Sequence, residues 1–304
     1  MTTWGLAVDG VDVGEYAAIP DSLAPFMTAP APRGRNLVVA GRHGEAHIPR
    51  KFYEANSFVL LLWVKGALPN GTVPPGSSDR AELYARADEL VSLFPIGKLV
   101  TLDRTLPAAA VRRALVEVTH VIDFKRDLGW KPVYAKVAIS LAMPGAFWFD
   151  ISTATSGPHA LATGGTVQLA GFAGATAPMD ELVVTFGPGN NPKLSQPSTG
   201  FFVAYDGVIG SGQSLILNTA SSTPLVGTGG LVVDYSKLRY SGSSRFFELR
   251  PQPSAAGTFP GAGLYPGAGT FPGSVAPGPT VSLTHTTGGT MTVTVAGPRK
   301  YLTS

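Results

Sequence analysis

Apolar and polar residues alternate along most of this chain with the two-residue period of β-strands, and one stretch alone follows the period of a helix. Trp4 to Val8 and Val11 to Val13 flank Asp9-Gly10, a pair that tolerates the positive φ angles of a tight turn, so the chain opens with a hairpin. Strands are predicted at Asn36 to Ala40, Glu45 to Ile48 and Phe58 to Val64. Asp79 to Phe94 reads as a helix with a charged outer face: Leu83, Ala87, Leu90 and Phe94 recur at helical spacing, Asp79 and Glu82 form a capping-box pattern, and Pro95 stops it. Two long alternating segments follow. Val116, Val118, His120, Ile122 and Phe124 share one face of the first, and Val133, Ala135, Val137, Ile139 and Leu141 one face of the second, with Asp127-Leu128-Gly129 turning between them. This predicts a long antiparallel hairpin, a ribbon that is marginal without a partner sheet or subunit.

Beyond residue 150 no helix is needed. Short strands are predicted at Thr166 to Ala170, Leu182 to Phe186, Phe201 to Tyr205, Ser214 to Leu217, Leu231 to Tyr235 and Phe246 to Leu249. The clearest alternation comes last, with Val281, Leu283 and His285 before Gly288-Gly289 and Met291, Val293 and Val295 after it, which predicts a closing hairpin. Strands at this spacing suggest a β-sandwich.

At 304 residues, the length suits about two domains. Charge divides the chain the same way, since residues 1–150 carry 16 basic and 15 acidic groups and residues 151–304 only 7 and 5. The break falls near Met143-Pro144-Gly145, and we expect one domain over 1–148 and a second over 149–304. The 37 Gly and 26 Pro make the chain turn-rich. Pro20 to Pro32 cannot donate a regular ladder and is expected to form a loop or arm. An insert at 250–281 holds a charge-free repeat of three hexapeptide copies beginning at Gly257, Gly263 and Gly269, whose Phe259, Tyr265 and Phe271 would be available to another chain. With no cysteine, stability must come from burial and assembly. The longest apolar run, Phe58 to Val64, is far short of the roughly 20 residues that span a bilayer, so no membrane insertion is expected. A net charge of +3 without clustering argues against specific nucleic-acid binding.

Chemistry is sparse. His43-Gly44-Glu45-Ala46-His47 departs from zinc-peptidase spacing, because the Glu does not follow the first His and Gly44 and Pro49 oppose a helix; a polar strand face fits better. His120, His159 and His285 have no Ser/Asp pattern beside them, and there is no Gly-x-Ser-x-Gly elbow or Walker-type phosphate loop. The second-half carboxylates, Asp180, Glu181, Asp206, Asp234 and Glu248, would face one another as a glycosidase pair only by accident of folding. Trp148, Tyr205, Tyr235 and Tyr240 offer an aromatic platform for sugar, although core packing is the commoner fate of such residues. Arg112-Arg113 and Lys125-Arg126 stand among Glu117, Asp123 and Asp127, a mixture that favours an ion-paired surface. Asn70-Gly71-Thr72 reads as a turn. The residues therefore nominate no catalytic, cofactor-binding or metal-binding group, and no cofactor.

Taken in order, the opening hairpin, the stretch Asn36 to Glu45, the apolar strand Phe58 to Val64, the single helix, the hairpin from Arg112 to Ala142 and the ending Met291 to Leu302 resemble the distal tail (Dit) proteins of long-tailed phages that infect high-GC actinobacteria. The resemblance implies a mainly β fold: a split β-barrel-like first domain with one helix and a protruding hairpin, and a galectin-like β-sandwich. It implies a homohexameric ring in the virion tail tip, made in the host cytoplasm. Such a ring joins tail-tube protein to the baseplate hub or tail-associated protein, with a lumen that passes the tape-measure protein and then DNA. The insert at 250–281 departs from compact members. Exposed strand edges and apolar ribbons need covering, and ring closure through complementary faces would cover them. The alternative, in a different class, is a carbohydrate-binding module for adsorption to the host.

Overall fold

The structure is a computed structural model that describes residues 5–18, 26, 29–33, 37–38, 45–46, 52–66, 72, 78–106, 110–126, 134–220, 223–227, 235–241, 247–252 and 277–302. It is mainly β and divides into two compact units, residues 1–151 with 302–304, and residues 152–301.

In the first unit the strands are β1 (Gly5–Val8), β2 (Val11–Asp12), β3 (Ala17–Ala18), β4 (Pro32–Arg33), β5 (Leu37–Val38), β6 (Glu45–Ala46), β7 (Phe52–Tyr53), β8 (Asn56–Lys65), β9 (Leu99–Thr105), β10 (Val111–Arg126), β11 (Tyr134–Met143) and β12 (Trp148–Asp150). An antiparallel sheet runs β2-β1-β9-β10-β11-β8-β3, with β12 beside β10, and curls into a half-barrel. Small ribbons pair β4 with β7 and β5 with β6. The opening hairpin forms as expected: Val8 faces Val11 across Asp9 and Gly10, whose φ angles are +49° and +85°.

The inner face of this sheet is a continuous core. Leu6 and Val8, Leu60, Leu62 and Val64, Val100 and Leu102, Ala114, Val116 and Val118, and Ala135, Val137, Ile139 and Leu141 are all buried. Helix α1 (Asp79–Ser92) packs against β8 and β11 through Leu83, Ala87 and Leu90, with Phe94 just beyond its end. Its cap differs from the expected one. Ser78, one residue earlier, accepts a 3.3 Å hydrogen bond from Ala81 N–H, while Glu82 turns along the helix to pair with Arg86 at 3.1 Å. A serine hydroxyl placed just outside the first turn reaches that orphan amide without distortion. Arg86 also donates to the Glu15 carbonyl at 2.7 Å and ties the helix to the opening segment.

The long hairpin exists, but the shared face expected for Val116 through Phe124 does not. The register shifts between Val118 and His120 and again between Ile122 and Lys125. Thr119 is the extra residue at the first shift, so it is Val121, not His120, that stands opposite buried Ile139, and His120 is exposed. Each bulge adds one residue to one strand and increases its bend, which helps a seven-strand path curl. The expected turn at Asp127 to Gly129 lies outside the described residues, as do most of the Pro20 to Pro32 arm and Asn70 and Gly71.

In the second unit the strands are β13 (Ala154–Ala162), β14 (Gly165–Gln168), β15 (Val183–Phe186), β16 (Gly189–Asn190), β17 (Lys193–Gln196), β18 (Phe201–Tyr205), β19 (Val208–Ile209), β20 (Ser214–Asn218), β21 (Thr223–Gly227), β22 (Leu238–Tyr240), β23 (Thr280–Thr284), β24 (Thr290–Gly297) and β25 (Lys300–Tyr301). Two five-stranded antiparallel sheets, β13-β24-β15-β20-β21 and β14-β23-β17-β18-β22, make a sandwich, with a small β16-β19 ribbon besides. Val184, Phe186, Leu215, Leu217, Met291, Val293 and Val295 of the first sheet and Leu194, Val203, Tyr205, Val281 and Leu283 of the second supply its core, with Leu169, Phe172, Met179, Phe247 and Leu249 filling in from connections.

This arrangement corrects the expected closing hairpin. β23 pairs with β14 and β17, whereas β24 pairs with β13 and β15, so the two strands lie in opposite sheets. Both present one apolar face. Strands that cross from sheet to sheet turn those faces toward each other, and paired strands set them side by side, yet the alternation is identical in the two cases. Of the strand expected at Leu231 to Tyr235, residues 231–234 lie outside the described residues, and Tyr235–Lys237 is a short 3-10 turn. Leu249 makes a single bridge to Met179 in place of the expected Phe246 to Leu249 strand. The insert is described only at its two ends.

Candidate functional site

The alternation that buries one face of the half-barrel sheet turns a second set of side chains outward. On β8 these are Ser57, Val59, Leu61, Trp63 and Lys65. Val59 faces Ser140 of β11, which faces His120 of β10; Leu61 faces Ala138, and Trp63 faces Lys136. Leu99 and Leu115 lie outward on β9 and β10, beside Glu117 and Thr101 respectively. Val59 is 42% exposed, Leu61 48%, Leu115 44% and Leu99 56%. Isolated exposed leucines are ordinary; four exposed apolar residues on one sheet face make that face the candidate interaction surface.

Charged groups bound this surface. Arg113 grips Asp103 with two bonds of 2.7 Å, and this donation holds the guanidinium proton more tightly than usual. At the other edge, Lys136 Nζ sits 4.3 Å from the centre of the Trp63 ring. Ser140, His120, Glu117 and Thr101 stand between these apolar positions, a mixed surface of the kind that protein contacts use. The readable signal was Phe58 to Val64, which is apolar at both parities. One parity fills the core and the other faces out.

Other residues that the sequence singled out are dispersed. His43 and His47 lie outside the described residues, Glu45 is in the short β6, and among the described residues no three His, Asp or Glu gather as metal ligands. Ser156 and His159 approach to 3.0 Å, and among the described residues no carboxylate orients the imidazole. The described carboxylates of the second unit are held by cations: Asp180 and Glu181 by Lys300 at 2.5 and 3.0 Å, Asp206 by Arg239, and Glu248 by Arg250 at 2.6 Å. Asp234 lies outside the described residues.

The expected aromatic platform is not assembled. Trp148 is buried in the first unit against Phe26, at 6.0 Å between ring centres. Tyr205 is in the sandwich core, Tyr240 packs at its margin, and the Tyr235 side chain lies outside the described residues. Arg104 is buried as well, stacked 4.7 Å from the Phe26 ring centre, and burial together with nearby Arg112 lowers its pKa to about 10. Phe259, Tyr265 and Phe271 lie outside the described residues.

No protein-family model matches the chain, and no curated protein matches it in sequence. Among solved structures it is similar to the Dit protein of phage SPP1, described as a paradigm of the hub adsorption apparatus in phages that infect Gram-positive bacteria. The TM-score is 0.56 over 98% of this chain and 99% of that one, at 11% identity. The chain has the Dit fold. Looser likenesses, each at a TM-score of 0.36, are to chains of the phage p2 baseplate in its activated conformation with Sr, at 10% identity over 97% of this chain and 98% of that one, and with Ca, at 11% identity over 96% and 98%. At such identities the Dit fold is shared through the placement of apolar positions, since cores accept many side chains when volume and pattern are kept.

Proposed function

We propose that this protein is a structural, non-enzymatic part of a phage virion: a distal tail protein whose copies close a ring between the tail tube and the baseplate hub or tail-associated protein. Six copies surround a lumen that passes the tape-measure protein and then DNA. The observation that carries this reading is the Dit fold along 98% of the chain. The apolar outer face of the first unit supports it, because a ring made by rotation needs one surface on each copy to meet a different surface on the next. Val59, Leu61, Leu99 and Leu115 supply one such surface, and the second unit is a galectin-like decoration on the outside.

The test is light scattering and negative-stain imaging of the purified full chain and of Leu61→Glu. The expected result is rings with six-fold class averages for the parent and monomers that still unfold cooperatively for the variant. A parent that stays monomeric at high concentration, or a variant that still closes rings, overturns the reading.

A further inference from the structure

The second unit has a hollow of about 540 Å³ lined by Asn191, Lys193, Ala204, Asp206, Arg239, Thr284, His285 and Thr286. Its origin is legible in the strand register. Thr284, Lys193, Ala204 and Arg239 stand in one row across β23, β17, β18 and β22, on the face opposite the core. A methyl group between two long cationic side chains leaves a space, and Ala204, 2% exposed, is its floor. Asn191, at φ +49°, closes one end and donates from its amide to Thr286 Oγ1 at 3.2 Å.

The chemistry around this space is that of a polyol site with one net positive charge. Arg239 and Asp206 neutralise each other through a two-point pair and offer outward N–H donors beside carboxylate acceptors. Lys193 has no carboxylate partner among the described residues; its Nζ rests 4.3 Å from the centre of the Phe202 ring, held at the rim by its own stem. Thr284 presents a hydroxyl that no described residue engages. His285 borders the hollow beside Thr284, but its ring turns to the core side, where Nε2 meets the Leu161 carbonyl of β13, in the opposite sheet, at 3.2 Å. The volume falls within the range of about 300–1,000 Å³ that ligand sites occupy.

We propose that this hollow binds a saccharide carrying an acidic group. Lys193 takes the carboxylate or phosphate, the Asp206–Arg239 pair engages neighbouring hydroxyls, and Thr284 and Asn191 fix the ring. The site does not depend on the aromatic platform expected from the sequence, nor on ring closure by the first unit.

Saturation-transfer difference NMR on the full-length protein tests it, with glucuronic acid, glucose 6-phosphate and glucose as probes and inorganic phosphate as competitor. Both acidic sugars are expected to show signals at least fivefold above those of glucose. Lys193→Gln, which removes the ammonium and keeps a polar end, is expected to cut those signals at least fivefold while the protein still unfolds cooperatively. Should that variant fail to fold, Thr284→Val, at an exposed position, replaces it and is expected to reduce them at least twofold. Signals equal in parent and variant, glucose equal to the acidic sugars, or full displacement by equimolar inorganic phosphate each overturn the proposal.

Discussion

Leu60 and Leu61 are neighbours in β8 with opposite fates, and truncating each in turn tests the placement of the half-barrel sheet. Leu60 is 1% exposed and lies opposite Ile139, itself fully buried. Leu60→Ala removes three carbons from a closed core, worth about 0.8 kcal/mol each, and the cavity left behind adds about 1 kcal/mol, for a total near 3–4 kcal/mol. For a unit of this size each kcal/mol moves the midpoint by about 2–4 °C, so the melting temperature should fall by about 6–16 °C. Leu61→Ala removes the same atoms from a side chain that is 48% exposed. It opens no cavity and should cost about 1 kcal/mol, or about 2–4 °C. Thermal unfolding followed by circular dichroism settles the matter, at a dilution where light scattering shows monomer. Dilution matters because assembly through the outer face would lend Leu61 stability that depends on concentration. Equal losses in the dilute monomer would mean that the β8 faces are wrongly assigned, and the outer surface with them.

Three further outcomes follow from the second unit. The buried Gln196 side-chain amide donates to the Arg250 carbonyl at 2.7 Å and accepts from its N–H at 2.8 Å. Gln196→Leu strands both backbone groups and is expected to cost about 2–5 kcal/mol, read as a lower urea midpoint. A Cβ on Gly278 would stand 1.9 Å from the Leu169 carbonyl oxygen, a backbone atom that cannot swing aside, so Gly278→Ala should destabilise the sandwich by at least about 2 kcal/mol in the same assay. Replacing residues 254–276 with four Gly/Ser residues should leave the sandwich folded and raise its stability by about 1 kcal/mol through the shorter loop; loss of cooperative unfolding would contradict this.

Much of this fold was legible because alternation reports burial directly. Ala135, Val137, Ile139 and Leu141 are all inside, Leu83, Ala87, Leu90 and Phe94 are the buried apolar positions of the helical stretch, and Asp9-Gly10 makes the turn it was read to make. What escaped is what alternation does not encode. A bulge inserts a residue without altering composition, so nothing around Thr119 announced that His120 would turn outward. Pairing partners are equally silent, since Val281 to Leu283 and Met291 to Val295 read alike as one hairpin or as two sheets. The strands β13 and β17 were missed because Gly157, Pro158, Lys193 and Ser195 do not look like strand residues, although they serve on an outward face or at a shift in register. For the same reason the hollow beside Ala204 was invisible. It arises from four residues distant in sequence that share a row only after the sheet has formed.

Gln252 and Thr280 meet at 3.4 Å, so the chain leaves the sandwich and comes back to it through one doorway. Each doorpost is fastened to the sandwich, one at Arg250 by Gln196 and the other at Pro279 by the Leu169 N–H. A lineage can therefore lengthen, trim or exchange that passage at little cost to the body that carries it. Novelty can be grafted there in a single step, while the rest of the molecule keeps its shape.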